Sequence, residues 1–195
     1  MTGLTVGIIG LALTVLLCGI GSGLGLRFTG KAAAGVLSED PSKFSKVIVL
    51  SLLPATQGIY GFLIAILGAN ALPTVANLTA AGITVGAENA ILAQQINAQG
   101  WYVFFACLPM MIGGMVSAIL QGRSAATTIV AVGKKSEIAA KSIIFPAMIE
   151  FYALLGLVAS ILMFNYIPVA EVGNITTHPE VVEPIVETLR IALGA

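Results

Sequence analysis

The sequence predicts an all-α membrane protein built from four transmembrane helices in two tandem helical hairpins. Composition is the first reason: of 195 residues, 57% are hydrophobic and only 9% charged, and mean hydropathy is +1.00. A water-soluble domain needs a more charged surface than that. Four apolar runs are the second, each long enough for the ~20 residues a spanning helix requires. They cover Thr2–Leu26, Val47–Leu72, Trp101–Leu120 and Ser142–Tyr166. An internal repeat is the third, because it divides those four runs into two pairs.

The first run begins at Thr2 with no basic residue before it and is too long for a secretion signal, so it is expected to remain as a helix. It carries Gly19, Gly21, Gly23 and Gly25, two interleaved small-xxx-small rows that leave a broad face without side chains. Such faces let membrane helices approach closely, since packing replaces the hydrophobic drive there. A phosphate-cradling loop is excluded by the spacing and by the lack of a preceding strand. The third run repeats the device with Gly113/Ser117 and Gly114/Ala118/Gly122. Two glycine-lined helices predict a crowded inner layer, with bulkier second and fourth helices outside it.

The turns Ser38-Glu39-Asp40-Pro41 and Gly133-Lys134-Lys135 stop the helices, which extend beyond the bilayer to reach them. Arg27, Lys31, Lys43 and Lys46 lie between the first two runs, and Arg123, Lys134, Lys135 and Lys141 between the last two; only Arg190 lies elsewhere. The positive-inside rule places both connections in the cytoplasm and both termini outside. These basic residues are scattered among Glu39, Asp40 and Glu137, which argues against a nucleic-acid surface. The resulting organisation is a first hairpin over 1–72, an external connection over 73–100, a second hairpin over 101–167 and an external tail over 168–195. Within the tail, Val182, Ile185, Val186 and Leu189 recur at helical spacing, as in a short amphipathic helix. Cys18 and Cys107 fall inside apolar runs and read as small hydrophobes, and His178 in the polar tail reads as a solvated residue. Asn77-Leu78-Thr79 and Asn174-Ile175-Thr176 match the glycosylation sequon, a pattern short enough to arise by chance.

Leu53-Pro54-Ala55-Thr56-Gln57-Gly58-Ile59-Tyr60-Gly61-Phe62 aligns with Phe145-Pro146-Ala147-Met148-Ile149-Glu150-Phe151-Tyr152-Ala153-Leu154 at constant offset. Proline meets proline, Tyr60 meets Tyr152, and Gly58 stands where Glu150 stands. Parallel repeats of this kind are common in membrane transport proteins. Glu150 is the only acid within the long apolar runs. A charged carboxylate at that depth costs about 2.5–3.5 kcal/mol on insertion scales, so it must be neutralised, paired or bound to a cation. Counted from the turns, Gln57, Gln121 and Glu150 fall at one height on three helices. Thr56 and Tyr60 lie one turn apart beside Gln57, and Pro54 loosens the backbone around the Leu53 carbonyl. Together they make an all-oxygen shell suited to a hard cation. One negative charge matches a monovalent ion. Gln57 and Gln121 read equally well as interhelical hydrogen-bonding pairs, and Tyr60 as a packing residue.

These residues resemble the membrane-rotor proteolipid of the V-type rotary ATPases, over about residues 1–166. The Leu53–Gly61 segment is similar to that of sodium-pumping bacterial members. The resemblance implies a homo-oligomeric ring in a bacterial plasma membrane, docked to a central-stalk subunit at its cytoplasmic turns and facing a stator membrane subunit with an essential arginine. It implies Na+ held by the Leu53 carbonyl, Thr56, Gln57, Gln121 and Glu150, with Tyr60 bonded to the carboxylate, and no catalytic chemistry in the rotor protein itself. Proton carriage through Glu150 is the alternative. A small proton-coupled cation exchanger fits less well, because it needs an aromatic-lined cavity and aromatics are only 7% here. A purely structural proteolipid would leave Glu150, Gln57 and Gln121 without a role. The long 73–100 connection and the 168–195 tail depart from the family's usual length.

Overall fold

In the computed structural model, residues 3–72 and 90–167 are described, with side chains omitted at 90–93. The fold is all-helical, with four helices long and apolar enough to cross a membrane. Helix α1 spans Gly3–Glu39. A short 3-10 turn over Pro41–Lys43 reverses the chain into α2, Phe44–Leu52, and a second over Leu53–Ala55 joins α2 to α3, Thr56–Asn70. Helix α4 runs over Ala90–Lys134, beginning within the stretch read as a connection. The 3-10 turn Ser136–Ile138 leads into α5, Ala139–Ser142, and α6, Ile144–Asn165. The 168–195 tail and most of the 73–100 connection lie outside the described residues, as do both sequons.

Helices α1 and α4 pack along one another as the inner pair, α3 rests on both, and α6 packs on α4 and touches α3. Glycine sets the inner spacing. A Cβ on Gly21 would stand 2.7 Å from the Met115 Cα, and one on Gly25 would stand 2.6 Å from both the Ala118 carbonyl oxygen and the Pro54 Cβ. Gly122 faces Gly25 from the other side. Of the two rows read from the sequence, Gly21/Gly25 makes this contact. The Gly19/Gly23 row points away from it and meets nothing within 4 Å. Only 11% of the most apolar stretch of the fourth span is buried, against 39–44% in the other three, so α6 forms an edge of the bundle.

Proline interrupts the outer helix and sits within the continuous inner one, and beside each a neighbouring helix supplies a hydrogen-bond partner. Pro54 has no N–H to donate, so the backbone tightens into a 3-10 turn and its flanking groups turn outward. Thr29 Oγ1 donates to the Ser51 carbonyl at 3.0 Å, and the Gly58 N–H donates to Ser22 Oγ at 2.8 Å. Both partners belong to α1. Inside α4, Pro109 is followed by Met110, whose N–H reaches Ser160 Oγ on α6 at 3.1 Å and whose carbonyl accepts from the Cys18 thiol at 3.4 Å. Breaks at membrane depth persist only where such partners exist. At the turn end, Lys43 Nζ donates to the Gly133 carbonyl at 2.7 Å and pairs with Asp40 Oδ2 at 3.1 Å, tying the first turn to the end of α4. Bonds from Ser42 and Lys43 hold the exposed Asp40 carboxyl below its ordinary pKa. Its capping contribution is therefore present above the ordinary carboxylate range and lost as pH falls through the lowered value.

Replacing Thr29 by isosteric valine removes the hydroxyl that serves the Ser51 carbonyl. The expected loss is about 0.6–1.7 kcal/mol, the range for interhelical hydrogen bonds in membranes. Reversible unfolding in mixed detergent measures it, and an unchanged midpoint would show that the Pro54 break needs no answer from α1.

Candidate ion site

The site stands where α3, α4 and α6 meet. Pro54 sets the direction of α3, so that Gln57 turns inward and is fully buried. Gln121 is fully buried too, just past the glycine-lined part of α4, where the close approach of α1 holds that helix in place. Glu150 projects from α6 at a half-buried position, one turn beyond the buried Pro146.

The hydrogen bonds form a chain. Gln57 Nε2 donates to Gln121 Oε1 at 2.5 Å, and Gln121 Nε2 donates to Glu150 Oε2 at 3.4 Å. Tyr60 Oη donates to the other carboxylate oxygen, Oε1, at 3.0 Å. Each carboxylate oxygen thus has a donor, and the donors come from two different helices. Thr56 Oγ1 donates to the Leu53 carbonyl at 3.0 Å, and the Thr56 N–H turns to the same oxygen. Of the six residues singled out in the sequence, four therefore join in one network. Leu53 and Thr56 bond to each other at the foot of α3, next to Gln57.

One acceptor is left over. Gln57 Oε1 is buried and has no hydrogen-bond partner. An unsatisfied buried carbonyl costs about 1–3 kcal/mol, and a network with a single open acceptor calls for a donor or a cation. Among the described residues no three His, Cys, Asp or Glu side chains gather as metal ligands. Any cation here would therefore meet one carboxylate and neutral oxygens, a donor set that fits a hard monovalent ion rather than zinc or a transition metal.

Sequence reasoning missed three supporting hydroxyls. Ser22 and Thr29 hold the α2–α3 break from α1, and Ser160 on α6 accepts from the Met110 N–H next to Pro109 in α4. The available signal was a polar residue inside an apolar run, on a helix expected to lie beside a proline.

The comparisons agree with this architecture. The family of ATP synthase C subunits matches twice, over residues 9–68 and 104–163, one match per hairpin. The chain is 38% identical over 161 residues to the V-type sodium ATPase subunit K of Enterococcus hirae, covering 83% of this chain and 91% of that protein. It is 36% identical over 160 residues to the A-type ATP synthase subunit K of Methanocaldococcus jannaschii, covering 82% of this chain and 62% of that longer relative. The connection between the matched segments and the tail after them lie outside the family matches. With four spans and a duplicated hairpin, each hairpin carrying one match, the chain is an integral multi-pass membrane protein and belongs to the family of ATP synthase C subunits.

Proposed function

We propose that this chain is the ring-forming rotor subunit of a V-type rotary ATPase and carries one sodium ion per copy at Glu150. The observation that carries the reading is the buried, unpartnered Gln57 Oε1 beside a carboxylate that already has its donors. A proton on Glu150 would leave that oxygen as it is. A cation between Gln57 and Glu150 would satisfy it. The Leu53 carbonyl and Thr56 hydroxyl, adjacent in sequence, complete an oxygen shell. The name of the Enterococcus hirae relative, a sodium ATPase subunit, points the same way.

The charge balance explains how such a site can turn through lipid. Carboxylate plus monovalent ion sums to zero, so the loaded site avoids the cost of an isolated charge in hydrocarbon. Tyr60 and Gln121 hold the carboxylate in one orientation while the ion is bound. A stator arginine, expected from the family, would draw the emptied carboxylate and release the ion. The basic turns would face the cytoplasm and a central-stalk subunit, with both termini outside, in a bacterial plasma membrane. Proton carriage is the competing reading: it needs only Glu150 and a hydrogen-bond acceptor, with Gln57 and Gln121 joining helices.

Carbodiimide reacts with a protonated, accessible carboxyl. The expected result is that sodium slows the labelling of Glu150 at fixed pH; labelling that follows pH and ignores sodium would assign the site to protons. Gln57→Leu removes the open acceptor, so half-protection should need about tenfold more sodium, a loss of ~1.4 kcal/mol, while labelling still follows pH. Glu150→Gln should abolish coupled transport with the ring still assembled. Coupled pumping that persists in this variant would sink the proposal.

A further inference from the structure

The repeat makes a statement about the surface that the single chain leaves open. Within the chain, Tyr60 on the first hairpin reaches across to Glu150 on the second, so the outer helices meet through a tyrosine and the residue at the carboxylate position. Tyr152 is the second hairpin's copy of Tyr60, and Gly58 is the first hairpin's copy of Glu150. Tyr152 is 69% exposed, and among the described residues its phenol has no hydrogen-bond partner. A phenol at hydrocarbon depth loses water without gaining a bond.

We infer that Tyr152 seats against Gly58 of the next copy of this chain, repeating between copies the contact that Tyr60 makes with Glu150 inside one. This rests on the ring reading, since a head-to-tail interface that reuses one internal contact generates a closed ring of like copies. Gly58 suits the role. The Ser22 hydroxyl and Cβ lie 3.2 and 3.5 Å from where an ideal Cβ would stand, so glycine leaves this stretch of backbone bare beside a polar neighbour.

The junction also keeps the ion count at one. In it Met148 and Ile149 replace Thr56 and Gln57, and glycine replaces the carboxylate. The contact between copies is therefore a dry copy of the ion site.

Cross-linking tests this in the full-length chain with Cys18→Ala and Cys107→Ala. Tyr152→Cys together with Gly58→Cys, treated with a short bis-methanethiosulfonate reagent, should give a ladder of multiples up to the full ring, and neither cysteine alone should give any product. Dimers from Tyr152→Cys alone would mean a two-fold contact and overturn the inference. A second measurement needs no double variant. In a Trp101→Phe background, brominated lipid should quench Tyr152→Trp several-fold less than Phe151→Trp. Phe151 is the control because its counterpart Ile59 remains 65% exposed beside a formed contact. Equal quenching in an intact ring would place Tyr152 in lipid and refute the junction, with the rotor reading untouched. A wild-type protein that forms no large assembly in mild detergent would remove the ring and the junction together.

Discussion

The Glu150 carboxylate accepts one hydrogen bond from Tyr60 and one from Gln121, and these two bonds bring three helices to one point. A carboxylate at that depth needs donors, because water is absent and an unpaired charge is costly. The requirement propagates. Gln121 can serve Glu150 only if α4 lies close, and α4 lies close because Gly21 and Gly25 let α1 press on it. Tyr60 can serve it only if α3 bends at Pro54, and that bend holds because Thr29 and Ser22 on α1 take up the groups it releases. Helix α1 contributes no atom to the site, yet it supports two of the three walls.

Such an arrangement uses polar groups in two ways. The hydroxyls of Ser22, Thr29 and Ser160 complete backbone hydrogen bonding and have no other visible demand on them. The amides of Gln57 and Gln121 bond each other, and a surplus acceptor remains. A pair of glutamines serving only to join helices would be expected to close on itself. That surplus is what the proposed ion site rests on, beyond what the residue types alone provide.

Much of this was legible in the chain of residues. Apolar runs, glycine rows and basic turns gave four spans and their pairing, because each depends on local composition. The repeat brought Pro54, Tyr60 and Glu150 into one frame, and counting from the turns put Gln57, Gln121 and Glu150 at one height. The unread parts are those that depend on rotation about helix axes. Glycines at every second position read as two rows on one broad face, and only contact with α4 shows that Gly21/Gly25 is the packed one. Pro109 likewise drew no attention, because inside an apolar run its effect is visible only through the Ser160 hydroxyl opposite. The length of α4 was underestimated for a related reason. Ala90–Gly100 is too polar to read as part of a span, yet it continues the helix.

The asymmetry of the two hairpins remains the feature with the largest functional consequence. Both keep the proline and the tyrosine, but only the second keeps the carboxylate. Moving one charge across 100 mV takes about 2.3 kcal/mol, so on the proposed function, with one ion per carboxylate, the energy needed per turn would scale with the number of carboxylates in the ring. A ring of duplicated hairpins with one carboxylate each spends that energy on half as many ions as single-hairpin copies of the same circumference would. Fewer ions per ATP means each can be driven against a steeper gradient. On the proposed function, such a ring would favour pumping over synthesis.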